Sequence, residues 1–150
     1  MKIEEKINEL IKDSMKKKDN LRLDSLRAIK SAILIEKTKS GSKDDIEESV
    51  ILKILQKMVK QRNDTAKIYL QQKRDELANV EISQADIISE FLPPQLSESD
   101  LSEIIDKVII DIGADSMRDM GKVISIVSEK VSGQAEGRVI SEIVKRKLMI

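Results

Sequence analysis

Residues 113–147, GADSMRDMGKVISIVSEKVSGQAEGRVISEIVKRK, hold four of the five glycines of this 150-residue chain. Gly113 and Gly133 each follow a run with helical periodicity, where a left-handed residue usually ends a helix. Gly121 and Gly137 lie within or at the start of the next helical runs, where glycine costs up to about 1 kcal/mol relative to alanine. Such a glycine indicates either close packing of two backbones or close approach of a ligand, and the sequence favours packing.

Three amphipathic helices are predicted around these glycines. Ser97 is a suitable N-cap for the first helix, whose apolar residues recur every three or four positions: Leu101, Ile104, Ile105, Val108, Ile109 and Ile112. The second helix carries the apolar stripe Met120, Ile124, Val127 and Val131, and the third carries Val139, Ile140, Ile143 and Val144. Matching stripes on three short helices predict a small bundle. By helical angle, Ile126 points away from its core.

The rest of the chain predicts four more helices and no strand. The first covers residues 2 to about 17, Asp19 caps the second, the third runs from Ile46 to about Gln72, and Pro93 must end the fourth. The sequence therefore predicts an all-α protein. A four-helix N-terminal domain at residues 1–92 is followed by a three-helix tail bundle at 97–150, and a Pro93-Pro94 hinge joins them.

The composition excludes several classes of site. The chain has no cysteine and no histidine, which rules out thiol chemistry, zinc fingers and histidine general bases. Tyr69 and Phe91 are its two aromatic residues, so bases cannot stack on an aromatic platform. The N-terminus lacks a secretory apolar segment, and no run is long enough to cross a membrane. We therefore expect no membrane association and a cytoplasmic location.

The net charge of zero conceals an uneven distribution. Residues 1–75 carry 19 basic and 13 acidic groups, residues 76–112 carry 1 and 9, and residues 113–150 carry 7 and 5. A polyanion is therefore expected to contact the ends of the chain and not its middle.

Several short motifs occur in a recognisable order. They are Lys60-Gln-Arg62, Tyr69, Phe91-Leu-Pro-Pro-Gln-Leu96, Asp119-Met-Gly-Lys-Val123, Ser132-Gly-Gln-Ala-Glu-Gly-Arg-Val139 and Val144-Lys-x-x-Leu148. In order and spacing they resemble the YqeY-like family. That family shares its tail domain with the B subunit of the bacterial glutamyl/aspartyl-tRNA amidotransferase. The resemblance covers nearly the whole chain and indicates the free-standing YqeY-like proteins rather than the enzyme subunit.

Some positions match that family and others depart from it. Gly121, Lys122 and Gly137 match. Gln134 and Glu136 stand where a basic residue and an aspartate are usual, so a positive charge and a good N-cap are lost. The family also generally has a glycine near residues 72–73, which this chain lacks. The predicted break after the third helix therefore lacks the glycine that usually ends the helix at this place.

The resemblance implies contact with tRNA, because the amidotransferase tail domain is understood to engage it. The candidate nucleic-acid-binding residues are Arg118, Gly121, Lys122, Gly137, Arg138 and Lys145. Their cations point away from the apolar stripes, and N–H groups near Gly137 at a helix N-terminus suit a phosphate. Lys53, Lys57 and Lys60 form a second basic stripe on the third helix. An ordinary solvated face is the alternative for both sets.

No catalytic residue, cofactor or metal is predicted. The gap between Gly113 and Gly121-Lys122 differs from a phosphate-binding loop, and no strand precedes it. The resemblance links the tail to carbon–nitrogen ligases with glutamine as amido-N-donor, but their glutaminase and kinase parts have no counterpart in 150 residues.

Three hypotheses about function follow. The first is a non-catalytic, tRNA-associated helical protein. The second is an adaptor that docks on an amidotransferase or aminoacyl-tRNA synthetase through its acidic middle segment. The third, an accessory role in amide-forming ligase activity, has the least support in the residues.

Overall fold

Helices account for most of the chain. The computed structural model describes residues 2–41 and 46–149, and its helices are α1 (Ile3–Lys17), α2 (Asn20–Ser40), α3 (Glu48–Gln71), α4 (Asp75–Ser89), α5 (Glu98–Ile112), α6 (Met120–Lys130) and α7 (Gly137–Leu148). A 3₁₀ turn, Met117–Asp119, leads directly into α6. No strand occurs in the described ranges. The predicted all-α fold is confirmed, with four helices before Pro93 and three after it.

The chain divides into two compact units, Met1–Leu92 and Pro93–Ile150. The boundary falls at the double proline. That the two units fold separately, as domains joined by a hinge, stays a prediction. The second unit, residues 93–150, is called the tail below.

A tight turn joins α1 to α2 in the first unit. Lys18 adopts the left-handed conformation with φ of 56°, and the N–H of Asp19 donates to the Ser14 carbonyl at 3.0 Å. The Asp19 carboxylate accepts from the N–H of Arg22 at 3.1 Å, so the predicted N-cap is confirmed. The core of this unit combines residues of all four helices with Phe91: Ile7, Leu26, Ile29, Ile33, Ile51, Leu55, Met58, Ile88 and Phe91.

The α3–α4 hairpin, Glu48–Ser89, turns without a glycine. Lys73 takes the left-handed conformation with φ of 59°, and the N–H of Arg74 donates to the Tyr69 carbonyl at 2.8 Å. A lysine therefore adopts the backbone conformation for which glycine is usually selected. The break after the third helix lies within a residue of the predicted one.

The tail is a three-helix bundle. Ser97 Oγ accepts from the N–H of Asp100 at 3.1 Å, and Gly113 ends α5 with φ of 67°, so both predicted caps are confirmed. The core residues come from α5, α6, α7 and the residue after α6: Leu101, Ile105, Val108, Val123, Val127, Val131, Ile140, Ile143, Val144 and Leu148. Val123 is fully buried although the predicted stripe omitted it. Ile126, expected to point outward, is half-buried against this core because flanking helices cover a wide arc of α6.

The segment Pro93–Leu96, called the strap, is hydrogen-bonded to the turn between α6 and α7. Gln95 Nε2 donates to the Gly133 carbonyl at 2.7 Å, and the N–H of Leu96 donates to the Gln134 carbonyl at 2.9 Å. In return, Gln134 Nε2 donates to the Pro94 carbonyl at 3.4 Å. The strap, which includes the predicted Pro93-Pro94 hinge, is therefore hydrogen-bonded to the rest of the tail, and its action as a hinge stays a prediction.

Candidate nucleic-acid interface

The four cations predicted to contact nucleic acid all lie on the tail. Arg118 lies in the 3₁₀ turn, Lys122 in the first turn of α6, Arg138 in the first turn of α7, and Lys145 farther along α7. All four side chains are solvent-exposed. Each is therefore accessible to a large anion.

These cations differ in their partners. Arg138 Nη1 lies 2.8 Å from Glu142 Oε1, one turn along the same helix. Lys122 and Lys145 form no ion pair with any residue in the part of the chain that the structure describes. Because an exposed pair at this spacing contributes only about 0.3–0.5 kcal/mol, Glu142 is a weak competitor for Arg138.

The neighbouring cations of α7 have a structural role instead. Arg146 Nη2 lies 2.9 Å from Glu98 Oε1, and Lys147 Nζ lies 2.6 Å from Asp106 Oδ1, so both attach α7 to α5. Sequence reasoning passed over these two residues. Their pairing depends on side chains 41 to 48 positions away, which helical periodicity does not show.

Asp119 orders the turn that carries Arg118. Its Oδ2 accepts from the N–H groups of Asp115 at 3.1 Å and of Ser116 at 3.4 Å. The bond from Asp115, followed by the bond from Ser116 and the charge of Arg118, lowers the pKa of the Asp119 carboxyl below its usual value. The carboxylate is thus held ionised at the start of the 3₁₀ turn.

Gly121 and Gly137 have open space above their backbones. A Cβ atom added at either position would meet no other atom within 4 Å, and both residues are exposed. The packing interpretation favoured from the sequence is therefore wrong for both glycines, because no second backbone approaches them. Close approach of a ligand, the other interpretation of these glycines, stays a prediction. Gly113 and Gly133, by contrast, have φ of 67° and 79°, so they provide the left-handed backbone conformation that these turns need.

The first turn of α7 lacks a side-chain cap. Glu136 occupies the N-cap position without a side-chain hydrogen bond to the helix. The sequence predicted that Glu136 is a poor N-cap because its side chain is longer than that of aspartate, and the missing hydrogen bond agrees with that prediction. The N–H groups of this turn are left without that partner.

The second basic stripe lies on α3, in the first unit. Lys53, Lys57 and Lys60 are all exposed, as expected from their spacing. Lys60 Nζ lies 2.8 Å from Asp64 Oδ2, whereas Lys53 and Lys57 form no ion pair within residues 2–41 and 46–149. This stripe therefore offers two unpaired cations.

The described residues contain no group of three or more acidic side chains placed to hold a metal ion. A groove of about 210 Å³ between α1 and α2 is lined by Glu4, Ile7 and Lys37, among others. A more open depression between α5 and α7 contains the Arg146–Glu98 pair. Across those same described ranges, no helix combines the length and the apolar character that a membrane crossing requires.

Comparison with known proteins identifies the family of this chain. The family model described as "Yqey-like protein" matches residues 4–148. "Altered inheritance of mitochondria protein 41, mitochondrial" from Clavispora lusitaniae is 30% identical over 125 residues, covering 81% of this chain and 72% of the relative. Proteins with the same description are 31% identical over 93 residues in Candida glabrata, covering 61% and 51%, and 24% identical over 140 residues in Pyrenophora tritici-repentis, covering 92% and 74%.

These relatives correct one expectation. All three are described as mitochondrial proteins, which contradicts the cytoplasmic location inferred from the sequence. That inference was weak for a physical reason. It excluded only a secretory segment and a membrane span, and neither exclusion distinguishes the cytoplasm from the interior of an organelle.

Proposed function

Because the chain belongs to the Yqey-like protein family, we propose that it is a non-catalytic helical protein whose tail binds tRNA. The tail contacts the phosphate backbone through Arg118, Lys122, Arg138 and Lys145. At Gly121 and Gly137, a phosphate group approaches the protein backbone closely.

The observation that carries this proposal is the pairing of an open glycine with a free cation at the start of α6. Gly121 has nothing within 4 Å of its Cβ position, and the adjacent Lys122 is exposed without an ion pair among the described residues. At Gly137, the same open backbone adjoins Arg138, which pairs with the exposed Glu142. At Gly137, in the first turn of α7, a phosphate can accept N–H hydrogen bonds that no side-chain cap occupies.

The second basic stripe extends the same chemistry to the first unit. Lys53 and Lys57 are exposed and lack ion pairs in the described chain, so they can neutralise further phosphates. Their contribution is sequence-independent, as backbone contacts are in general. Discrimination among tRNAs is therefore not expected from these residues.

The test is a titration of bulk tRNA against the full chain at several salt concentrations. Lys122→Glu with Arg138→Glu should raise the Kd about tenfold or more in dilute buffer and reduce the salt slope by roughly 2. Lys107→Glu with Lys130→Glu is the matched control, because it removes the same charge from other exposed positions of the tail. Equal weakening by the two variants, or no salt-sensitive binding by the unaltered chain, would contradict the proposal.

A second candidate function is docking on a tRNA-handling enzyme through the acidic middle of the chain. The supporting observation is that α4 carries four acidic residues and no basic one. On this alternative, Glu103→Lys with Asp111→Lys abolishes binding to such a partner and the Lys122/Arg138 variant is tolerated. Both acidic residues are exposed, and neither takes part in the Arg146–Glu98 or Lys147–Asp106 ion pair, so both pairs stay intact.

A further inference from the structure

The tip of the α3–α4 hairpin, residues 66–82, has small residues inside and large apolar residues outside. Its buried residues are Ala66 and Ala78. Its exposed ones include Ile68, Leu70, Leu77, Val80 and Ile82, with exposed fractions of 37–53%. About a tenth of the chain thus holds five of the twelve exposed large apolar residues found in the described ranges. Such a concentration is typical of an interaction surface.

Among the described residues, the tip lies outside the hydrophobic core of the first unit. The core cluster of the first unit extends along the hairpin to Met58 and Ile88. No residue of the tip belongs to that cluster or packs against it in the described chain. Two helices in contact through alanines cannot bury their flanking leucines and isoleucines, so these side chains remain in water.

The charges of the tip are balanced and segregated. Lys67, Lys73 and Arg74 lie on α3 and the turn, whereas Asp75, Glu76 and Glu81 lie on α4: three basic and three acidic groups. None of the six forms an ion pair with another residue of the described ranges. A nucleic acid or an anionic membrane would favour a net positive surface. A neutral surface divided into two opposite halves is complementary to itself.

We propose that the hairpin tip is the contact surface for a second copy of this chain, arranged so that α3 of one copy lies against α4 of the other. A two-fold axis permits this arrangement and makes each contact occur twice. The exposed apolar side chains then become buried, and each basic half meets an acidic half. This inference does not depend on RNA binding, since it uses none of the residues assigned to tRNA.

The first test measures the dimer by sedimentation equilibrium over a wide range of protein concentration. Leu77→Glu with Val80→Glu places two charges on one side of α4 and should weaken the dimer at least about tenfold. Leu34→Glu with Ile35→Glu is the control, because both residues are exposed apolar positions of α2 in the same unit. Circular dichroism checks that both variants keep their helices. An unaltered chain that stays monomeric, or a dimer that the tip variant does not weaken, would overturn the proposal and leave the tip to a different protein.

The second test exchanges the charges. One variant carries Lys67→Glu with Arg74→Glu, and the other carries Glu76→Lys with Glu81→Lys. Each alone should dimerise more weakly than the unaltered chain, because like charges then meet across the interface. An equimolar mixture should restore association by forming a heterodimer in which opposite charges meet again. A mixture that associates no better than either variant alone would contradict the arrangement of α3 against α4.

Discussion

The tail and the hairpin tip distribute their apolar residues in opposite ways. In the tail, ten large apolar residues are buried in one cluster and the surface carries exposed cations beside two open glycines. In the tip, alanines fill the interior, large apolar residues face water, and the charges sum to zero. This difference shows that the chain has two surfaces of different chemistry, one on the tail and one on the hairpin tip. The exposed cations beside Gly121 and Gly137 suit a polyanion, although the tail as a whole carries 8 basic and 10 acidic groups. The tip surface suits a protein.

The largest contrast is expected in the cost of removing one large apolar side chain. Ile105→Ala in the tail should lower the free energy of unfolding by about 2–5 kcal/mol, because Ile105 is fully buried and leaves a cavity. Leu77→Ala in the tip should change it by only about 0.5 kcal/mol, since Leu77 is half-exposed. Urea denaturation of both variants in dilute protein, where a dimer dissociates, gives the comparison. Equal losses would show that the tip is a core in its own right.

The next prediction concerns how much the strap stabilises the tail. A fragment of residues 93–150 should be more stable than one of residues 97–150, by about 1–3 kcal/mol. The longer fragment keeps the bonds from Gln95 to Gly133 and from Leu96 to Gln134, and each such bond contributes about 0.5–1.5 kcal/mol. Chemical denaturation followed by circular dichroism measures the difference. Fragments of equal stability would mean that the strap does not stabilise the tail bundle. A shorter fragment without helix would contradict a separately folding bundle.

A smaller effect is expected at the turn of the hairpin. Lys73→Gly should stabilise the first unit by about 1 kcal/mol, because lysine is strained at φ of 59° and glycine is not. Arg74→Gly serves as the control, since Arg74 has φ of −105° and gains nothing from glycine. Thermal unfolding of both variants compares them. No gain at Lys73 would indicate that its side chain makes compensating contacts.

The smallest expected effect is the contribution of Asp119 to the pH dependence of stability. Because hydrogen bonds from Asp115 and Ser116 lower its folded-state pKa, ionised Asp119 stabilises the tail above the unfolded pKa of about 4. That contribution is lost as the pH falls through the lower folded-state pKa. Asp119→Asn should therefore reduce the free energy of unfolding near neutral pH, and it should make that free energy fall less steeply as the pH drops below about 4. Unfolding measured across that range, with Asp111→Asn as the exposed control, checks the sign. An unchanged acid profile would contradict the role of the two N–H bonds.

The sequence predicted features that depend on neighbouring residues. Asp19, Ser97 and Gly113 were recognised because a cap and its helix lie within a few positions of each other. The order of helices followed from apolar periodicity in the same way. Candidate cations were found on exposed faces, because a helical angle gives the direction of a side chain relative to its own stripe.

Features that depend on distant contacts were missed. Gly121 was assigned to packing because a sequence cannot show whether a second backbone lies nearby. Gln95 contacts Gly133 across 38 positions, and Arg146 contacts Glu98 across 48, so no local pattern indicates either. Lys73 was unexpected because the closure of the hairpin imposes its left-handed conformation. The sequence located surfaces, but it did not show which groups on them are free.

The central claim is that RNA phosphates approach the open glycines of the tail. It can be tested by nuclear magnetic resonance of the chain labelled with ¹⁵N in glycine alone, because its five glycines give five backbone signals. On addition of tRNA, the amide signals of Gly121 and Gly137 should shift or broaden first, and those of Gly41, Gly113 and Gly133 should change least. The three unaffected positions have positive φ and structural roles, which makes them internal controls. Signals that all change together, or that stay unchanged while tRNA binds, would contradict the account.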